Sequence, residues 1–325
     1  MSRAIKLAVD RDRRPGRFLL TGSTDLLRMP GLGDSLAGRA VSLRLRGFSV
    51  GEVTGAPDDF VPAVLALPDP QPVTSDWTRS RYVEALALGG FPEVRRLSPR
   101  MRSAWLKGYL DRVLNRDAVL LRAGHQSARL HSLIRLIAAN QGGELVKARL
   151  ADQAGLPPTS ITAYLDVLAG VFAIEQLDPW SPNLTARETG RRKTAVGGSA
   201  LALWLAQLTP RQLEPVTAEL LGGHFKAFLA AELLKQQSWS LEEFRLFHYR
   251  DRTGIEVDLV AELGDGTVVG IEVKTSSSYR PDHFKGLRFL RDRLGDRFRR
   301  GVVLGMFDRG FQISDRLIGL PASAL

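Results

Sequence analysis

The stretch GIEVDLVAELGDGTVVGIEVKTSS, residues 254–277, decides how the C-terminal part of the chain folds. From Ile255 to Val260, apolar residues largely alternate with polar ones, which is the period of a half-buried β-strand. Gly264-Asp265-Gly266 is a strong turn signal. The run that follows, Thr267 to Lys274, is rich in β-branched residues. The stretch is therefore predicted to be a β-hairpin.

The register of this hairpin raises a question of charge. A three-residue turn would place Asp258 opposite Glu272, and Glu256 opposite Lys274. Opposed Cβ atoms lie roughly 4.5–5.5 Å apart, and like charges at that distance destabilise a hairpin. A divalent cation would relieve the repulsion between the two acids, because hard cations bind carboxylate oxygens. Alternatively, Glu256 and Lys274 form an ordinary cross-strand ion pair, and solvent screens the acids.

Composition places the chain among ordinary globular proteins. It has 325 residues, of which 44% are hydrophobic and 25% charged, and this length predicts two or three domains. No apolar run approaches the roughly 18 residues of a membrane span, and the N-terminal stretch has no signal-peptide pattern. The chain contains no cysteine, which excludes disulfides, thiolate zinc sites and a cysteine nucleophile. A cytoplasmic protein without membrane association is expected.

The net charge of +10 is distributed unevenly. Residues 1–50 hold ten basic and four acidic side chains, and residues 279–300 hold eight basic and three acidic ones. Such patches suit a polyanion, so nucleic acid is the expected partner. A solvated arginine-rich surface is the alternative for either patch.

Between the N-terminal segment and the hairpin, the sequence predicts mainly helices. The stretch 17–23, RFLLTGS, reads as a short buried strand, and the Pro- and Asp-rich segment 57–76 reads as a linker. Residues 128–180 read as three helices followed by a strand, the pattern of a winged helix-turn-helix. The third helix carries Asp166 and no Lys or Arg from Thr159 to Leu168, so a packing or protein-docking role is expected rather than base reading.

The hairpin and the helix before it resemble the PD-(D/E)xK nuclease superfamily. The motif stands as Val257-Asp258 and then Glu272-Val273-Lys274, with Glu232 in the preceding helix. The resemblance covers roughly residues 219–312. It implies that Asp258 and Glu272 hold Mg²⁺ and that Glu232 completes the metal shell. It also implies that Lys274 orients the attacking water or clamps a phosphate oxygen. Tyr249, Arg250 and the Arg-rich helix 285–300 would contact the substrate.

A wider resemblance spans nearly the whole chain. The stretches RRPGRFLLTGSTDLLRMPGLGDSLAGR, YVEALALGGFPEV, FLAAELLKQ and GIEVKTSS are similar to AAA-type ATPases with a C-terminal DUF4143 domain. This implies an α/β multidomain protein in four parts. Residues 1–60 would be a remnant of the P-loop ATPase core and 61–125 a helical lid. Residues 126–182 would be the winged helix, and 183–325 the restriction-endonuclease-like DUF4143 domain. Thr21 or Ser23 would be the γ-phosphate sensor and Arg39 an arginine finger, although strand capping and a surface ion pair are the ordinary interpretations.

The sequence departs from this family in two places. It contains no Gly-Lys dipeptide, and a P-loop requires one, so ATP hydrolysis by this chain is not expected. Lys226 stands where the family more often has an acid. Either the start of the sequence lies downstream of the P-loop, or the chain is a degenerate paralogue.

Three functional hypotheses remain open at this point. The first is a nucleic-acid-associated protein with a Mg²⁺-dependent nuclease-like site. The second is a non-enzymatic module that binds nucleic acid or protein. The third is an ATP-binding protein whose start is placed too late. A homo-oligomer or a partner ATPase would fit the family.

Overall fold

A computed structural model describes residues 2–25, 36, 38–56, 58–68, 73–117 and 127–325 of the chain. The described part is mixed α/β, with helices along most of its length and a six-stranded sheet near the C-terminus. None of the helices in these ranges combines the length and apolar character that a bilayer crossing requires.

Alpha-helices occur along much of the described part of the chain. In chain order they are α1 (Ser2–Arg11), α2 (Val50–Thr54), α3 (Phe60–Ala66), α4 (Arg79–Leu88), α5 (Pro92–Arg96), α6 (Pro99–Arg112), α7 (Ser127–Ala139), α8 (Lys147–Gln153), α9 (Ile161–Gly170), α10 (Leu184–Thr189), α11 (Ser199–Leu205), α12 (Pro210–Leu213), α13 (Leu220–Gln236) and α14 (Lys285–Leu294). A π-helical turn at Val113–Asp117 extends α6, and 3₁₀ turns occupy Pro281–Phe284, Gly295–Arg297 and Ala322–Ala324.

The strands are concentrated after residue 243. They are β1 (Gly143–Glu144), β2 (Ile174–Leu177), β3 (Lys193–Val196), β4 (Phe244–Arg250), β5 (Glu256–Leu263), β6 (Val268–Val273), β7 (Phe298–Gly305), β8 (Phe311–Ser314) and β9 (Leu317–Pro321). The main sheet has the order β4-β5-β6-β7-β9-β8. Strand β7 pairs parallel with β6 and with β9, and the other pairs are antiparallel.

The chain divides into two compact units. We call Met1–Arg46, Ser98–Leu136 and Val146–Glu175 the N-terminal unit, and Gly47–Leu97, Ile137–Leu145 and Gln176–Leu325 the C-terminal unit. Each unit combines segments that are distant in sequence. The four-part division expected from the family resemblance stays a prediction.

The C-terminal unit is built around the six-stranded sheet, which is covered on both faces. One face packs against α4 and α13 through buried side chains such as Tyr82, Phe225 and Ile271. The other face packs against α14 through Leu287 and Leu290. Strand β5 is consequently buried along nearly its whole length, so the predicted half-buried strand is a central, doubly covered one.

The predicted hairpin is confirmed in its elements and in its register. Strands β5 and β6 flank the turn at 264–266, and Leu259 pairs with Ile271, as the three-residue turn requires. Gly266 has φ +78°, a left-handed conformation that glycine adopts without steric cost. The sequence analysis does not predict strands β8 and β9, which lie at the far side of the sheet.

Helix α14 approaches β5 closely at a glycine. A Cβ atom placed on Gly286 would lie 2.1 Å from the carbonyl oxygen of Glu256. The absence of a side chain at this position therefore lets the helix lie directly against the strand that carries Asp258.

The N-terminal unit contains the helix pair α8 and α9. Gly155, with φ +62°, forms the turn after α8, and α9 buries Ile161, Leu165 and Leu168. Asp166 is exposed. The helices and the strand predicted for 128–180 are present, while the winged-helix assignment stays a prediction.

Two local expectations are wrong. The segment 17–23 is not a strand and is largely exposed, with Leu19 at 89% exposure. No described strand pairs with it, and a strand without a partner leaves its backbone N–H and C=O groups without interstrand hydrogen bonds. The segment 57–76 contains α3, which buries Phe60, Val61 and Val64, because this apolar face packs into the C-terminal core.

Candidate functional site

A β-bulge positions Asp258. Along the β4–β5 ladder, Phe247 pairs with Val260 and Tyr249 pairs with Val257. Asp258 and Leu259 therefore lie opposite the single residue His248, which is the two-against-one pattern of a bulge. Such bulges re-aim a side chain, and here the Asp258 carboxylate contacts a side chain from α13.

Asp258 and Glu272 come together, as the register predicts. The Asp258 N–H donates to Glu272 Oε2 at 3.3 Å, and the Val273 N–H donates to Asp258 Oδ2 at 2.9 Å. Both acids are buried, at 2% and 9% exposure. Each carboxylate thus accepts one backbone hydrogen bond and has one further oxygen for another partner.

Lysine ammonium groups contact those remaining oxygens. Lys226 Nζ from α13 lies 2.6 Å from Asp258 Oδ1, and Lys193 Nζ from β3 lies 3.6 Å from the same atom. Asp258 Oδ1 has no well-aligned hydrogen bond, so these contacts are ion pairs. Lys274 Nζ donates to Glu272 Oε1 at 2.6 Å.

A third acid completes the arrangement. Lys193 Nζ donates to Glu256 Oε1 at 2.6 Å, and Arg250 lies 3.5 Å from the other Glu256 oxygen. The alternative ion pair between Glu256 and Lys274 is not formed, because Lys193 and Arg250 pair with Glu256 while Lys274 pairs with Glu272. We call these six residues the carboxylate–lysine cluster: Glu256, Asp258, Glu272, Lys193, Lys226 and Lys274.

The ionisation of the two central acids differs. Burial raises the pKa of Asp258, but the charges of Lys226 and Lys193 outweigh burial and hold this pKa below its usual value. Burial and the negative charge of Asp258 raise the pKa of Glu272 to about 7, although Lys274 opposes the shift. The cluster therefore favours one firmly ionised carboxylate and one that titrates near neutral pH.

Glu232 does not join the cluster. Its Oε2 accepts the Val50 N–H at 2.7 Å, and its Oε1 pairs with Lys235. Lys226 and Glu232 are six positions apart on α13, which is about 9 Å along the axis and on a different face. Glu232 ties α13 to the start of α2 instead, and its role in a metal shell stays a prediction.

The residues predicted to sense nucleotide lie in the N-terminal unit. Thr21 and Ser23 are exposed in an irregular segment, and Arg39 Nε donates to Asp10 at 2.7 Å. Arg39 thus has an ion-pair partner in its own unit. The sensor and arginine-finger roles stay predictions.

The donor set does not fit Mg²⁺ as the residues stand. Mg²⁺ requires near-octahedral oxygen coordination, whereas every oxygen of Asp258 and Glu272 already has a backbone N–H or an ammonium beside it. Helix α13 contributes an ammonium where a further carboxylate would be needed. Within the described ranges, no group of three or more His, Asp or Glu side chains could hold a metal ion.

Sequence reasoning missed two neighbours of the site. Lys193 lies in the Arg191-Arg192-Lys193 run, which has no motif spacing relative to the hairpin. His248 is buried, and its Nε2–H donates to the Arg191 carbonyl at 2.9 Å. The only available signal was the basic run itself, and it would have pointed to Lys193 as a neighbour of the site only if the run had been placed on a strand.

Two family models match the chain. Residues 79–212 match the model described as Domain of unknown function (DUF8612), and residues 221–325 match Domain of unknown function (DUF4143). The second match confirms the DUF4143 part of the resemblance, and it contains Lys226, Asp258, Glu272 and Lys274. Lys193 falls within the first match, so the cluster draws residues from both regions.

Two curated relatives carry names that state no activity. Uncharacterized protein Rv2008c from Mycobacterium tuberculosis and Uncharacterized protein Mb2031c from Mycobacterium bovis are each 26% identical over 325 residues. The match covers 99% of this chain and 65% of each relative, so the chain spans less than two thirds of their length. No solved structure gives a significant match.

Proposed function

We propose that the C-terminal unit binds nucleic acid through arginines beside the carboxylate–lysine cluster and does not cleave it. The observation that carries this proposal is the pairing of every acid of the cluster with a lysine: three ammonium groups face three carboxylates. A nuclease of this type needs a metal-bound water. The lysines neutralise the acids that would have to bind that metal.

The proposed contact surface is a group of exposed arginines next to the cluster. Arg250 lies beside Glu256 at the end of β4. Arg252 lies in the loop that follows, and Arg191 precedes Lys193 by two residues; both are exposed. We call Arg191, Arg250 and Arg252 the basic rim. Guanidinium groups suit phosphate contacts because their planar fork matches the anion.

The Arg-rich segment 285–300 is a weaker candidate surface. Arg288 donates to the Pro281 carbonyl at 2.8 Å, Arg297 donates to Gly266, and Arg300 donates to Val64 and Leu67. These guanidinium groups already donate to backbone carbonyls of the unit. Part of the basic surplus therefore serves the fold, which favours the basic rim as the contact.

Fluorescence anisotropy of the full chain with labelled single-stranded DNA, duplex DNA and RNA tests the binding. The triple variant Arg191→Ala, Arg250→Ala, Arg252→Ala is expected to bind roughly tenfold or more weakly than wild type, as removal of phosphate contacts requires. The variant Arg211→Ala, Arg299→Ala, Arg309→Ala removes the same charge from exposed positions elsewhere and is the control. Equal losses in both variants would contradict the rim, and no binding at low salt would contradict the function.

Plasmid nicking in Mg²⁺ and in Mn²⁺ tests the second half of the proposal. Wild type and Asp258→Asn are both expected to leave the plasmid intact. Metal-dependent nicking by wild type that Asp258→Asn abolishes would show a live nuclease and overturn the non-cleaving assignment.

A further inference from the structure

The position of Lys226 suggests a specific electrostatic role. Its side chain is 33% exposed, yet its ammonium lies 2.6 Å from a carboxylate that is almost wholly buried. Burial lowers the pKa of Lys226, but the charge and hydrogen bond of Asp258, together with the charges of Glu272 and Glu256, outweigh burial and raise this pKa. The side chain therefore stays a cation beside Asp258.

When all six groups are ionised, the charges of the cluster balance without any added ion. Asp258, Glu256 and Glu272 are matched by the ammonium groups of the three lysines. A divalent cation would add two positive charges to a set that is already neutral when all six groups are ionised. It would also have to displace Lys226 from Asp258 Oδ1, and breaking this ion pair would leave the ammonium without its partner, which costs free energy.

We propose that the Lys226 ammonium is the resident cation of the cluster, and that a carboxylate at position 226 alone would convert the cluster into a divalent-cation site. The change from Lys to Glu alters the local charge by two units, which is the charge of Mg²⁺ or Mn²⁺. It also brings acids from α13, β5 and β6 to one place. Glutamate is shorter than lysine, and an ion with bonds of about 2.1 Å to oxygens on both sides would fill the difference.

This inference concerns the wild-type ion pair and does not depend on nucleic-acid binding. The test is Mn²⁺ binding to the full chain, followed by calorimetry and by the electron paramagnetic resonance signal of free Mn²⁺. The variants are Lys226→Glu, Lys226→Gln and the control Arg309→Glu, which makes the same charge change at an arginine whose side chain is 76% exposed. Circular dichroism checks the fold of each variant.

Lys226→Glu is expected to lower the Mn²⁺ dissociation constant roughly tenfold or more relative to wild type. Lys226→Gln, which removes the ammonium without adding a charged ligand, is expected to lower it by less. Arg309→Glu is expected to match wild type. Affinities of wild type and Lys226→Glu within a factor of about two would overturn the proposal, as would an equal gain in Arg309→Glu. If Lys226→Glu does not fold, an affinity of Lys226→Gln equal to wild type is the overturning result.

Discussion

Asp258 depends on its lysine partners for its place in the core. Its side chain is 2% exposed. The carboxylate accepts a hydrogen bond from the Val273 N–H and forms an ion pair with Lys226. Removing one partner of a buried ion pair leaves the other charge without compensation, which costs more than the pair itself contributes. The Asp258 carboxylate is therefore expected to be important for stability as well as for the site.

Asp258→Ala is expected to lower the free energy of unfolding by about 2–4 kcal/mol, a range discounted for the partial exposure of Lys226. Urea denaturation of the full chain measures this loss. Asp292→Ala is the control, since that side chain is 67% exposed beside Arg291, and its effect should stay within about 0.5 kcal/mol. Similar losses in the two variants would contradict the buried ion pair.

His248 should make the protein sensitive to mild acid. Burial, together with the charge of Lys193, lowers the pKa of His248 to about 4. The unfolded chain binds this proton near pH 6.5, so stability is present above that pH and is lost as the pH falls toward 4. The hydrogen bond to the Arg191 carbonyl and the charges of Glu256 and Asp178 raise this pKa without reversing the shift.

Wild type is expected to lose about 2 kcal/mol more than His248→Gln between pH 7 and pH 5, because glutamine does not titrate. Urea denaturation at the two pH values gives this difference, whatever the variant's stability at pH 7. Parallel losses in the two proteins would mean that His248 is not buried as a neutral ring.

At the level of single residues, the sequence predicts the contact between Asp258 and Glu272 but not the lysines that neutralise their charges. The turn length fixes the register, and the register brings Asp258 to Glu272. Glu232 could not be placed in the same way, because its position depends on the rotation of α13 about its axis. Lys193 depends on a tertiary contact between distant strands, which no local pattern encodes.

At the element scale, the contact between α14 and β5 holds the site strand against its covering helix. Gly286→Ala would force a Cβ atom against the Glu256 carbonyl, and the expected cost is about 1–3 kcal/mol of unfolding free energy. Gly222 is the matched control in α13, because a Cβ atom there would meet no atom within 4 Å. Gly222→Ala should stabilise by about 0.5–1 kcal/mol. Denaturation curves in which both variants shift in the same direction would contradict the close helix–strand contact.

The elements with long periodic patterns follow from the sequence. The hairpin strands β5 and β6 appear where the pattern predicts them, and α13 is the predicted helix that carries Glu232. The segment 17–23 has the composition of a strand but no described partner strand, since propensity alone does not form a sheet. Strands β8 and β9 have only four and five residues, so their pairing with the sheet, rather than a local pattern, makes them strands.

At the scale of the whole molecule, the net charge of +10 should govern nucleic-acid affinity. The logarithm of the association constant is expected to fall linearly with the logarithm of salt concentration, with a slope of about −0.9 per duplex phosphate contacted. The basic-rim triple variant should reduce the magnitude of this slope by about 2–3. An affinity that does not change with salt would rule out charge-driven contact.

The assignment of chain segments to the two compact units is the hardest feature to predict from the sequence. Each unit combines three segments, whereas sequence patterns suggest consecutive domains. Helices α2, α3 and α4 belong to the same unit as the sheet because their apolar residues share its core, and such long-range packing leaves no signal in local periodicity.

Lysine, rather than a metal, is expected to supply the positive charge at Asp258. Anomalous scattering from a crystal of wild-type protein soaked in Mn²⁺ measures whether a metal binds there. No anomalous peak is expected between Asp258 and Glu272, and Lys226 Nζ is expected in contact with Asp258. A peak at about 2.1–2.2 Å from oxygens of both acids, with Lys226 displaced, would contradict this expectation.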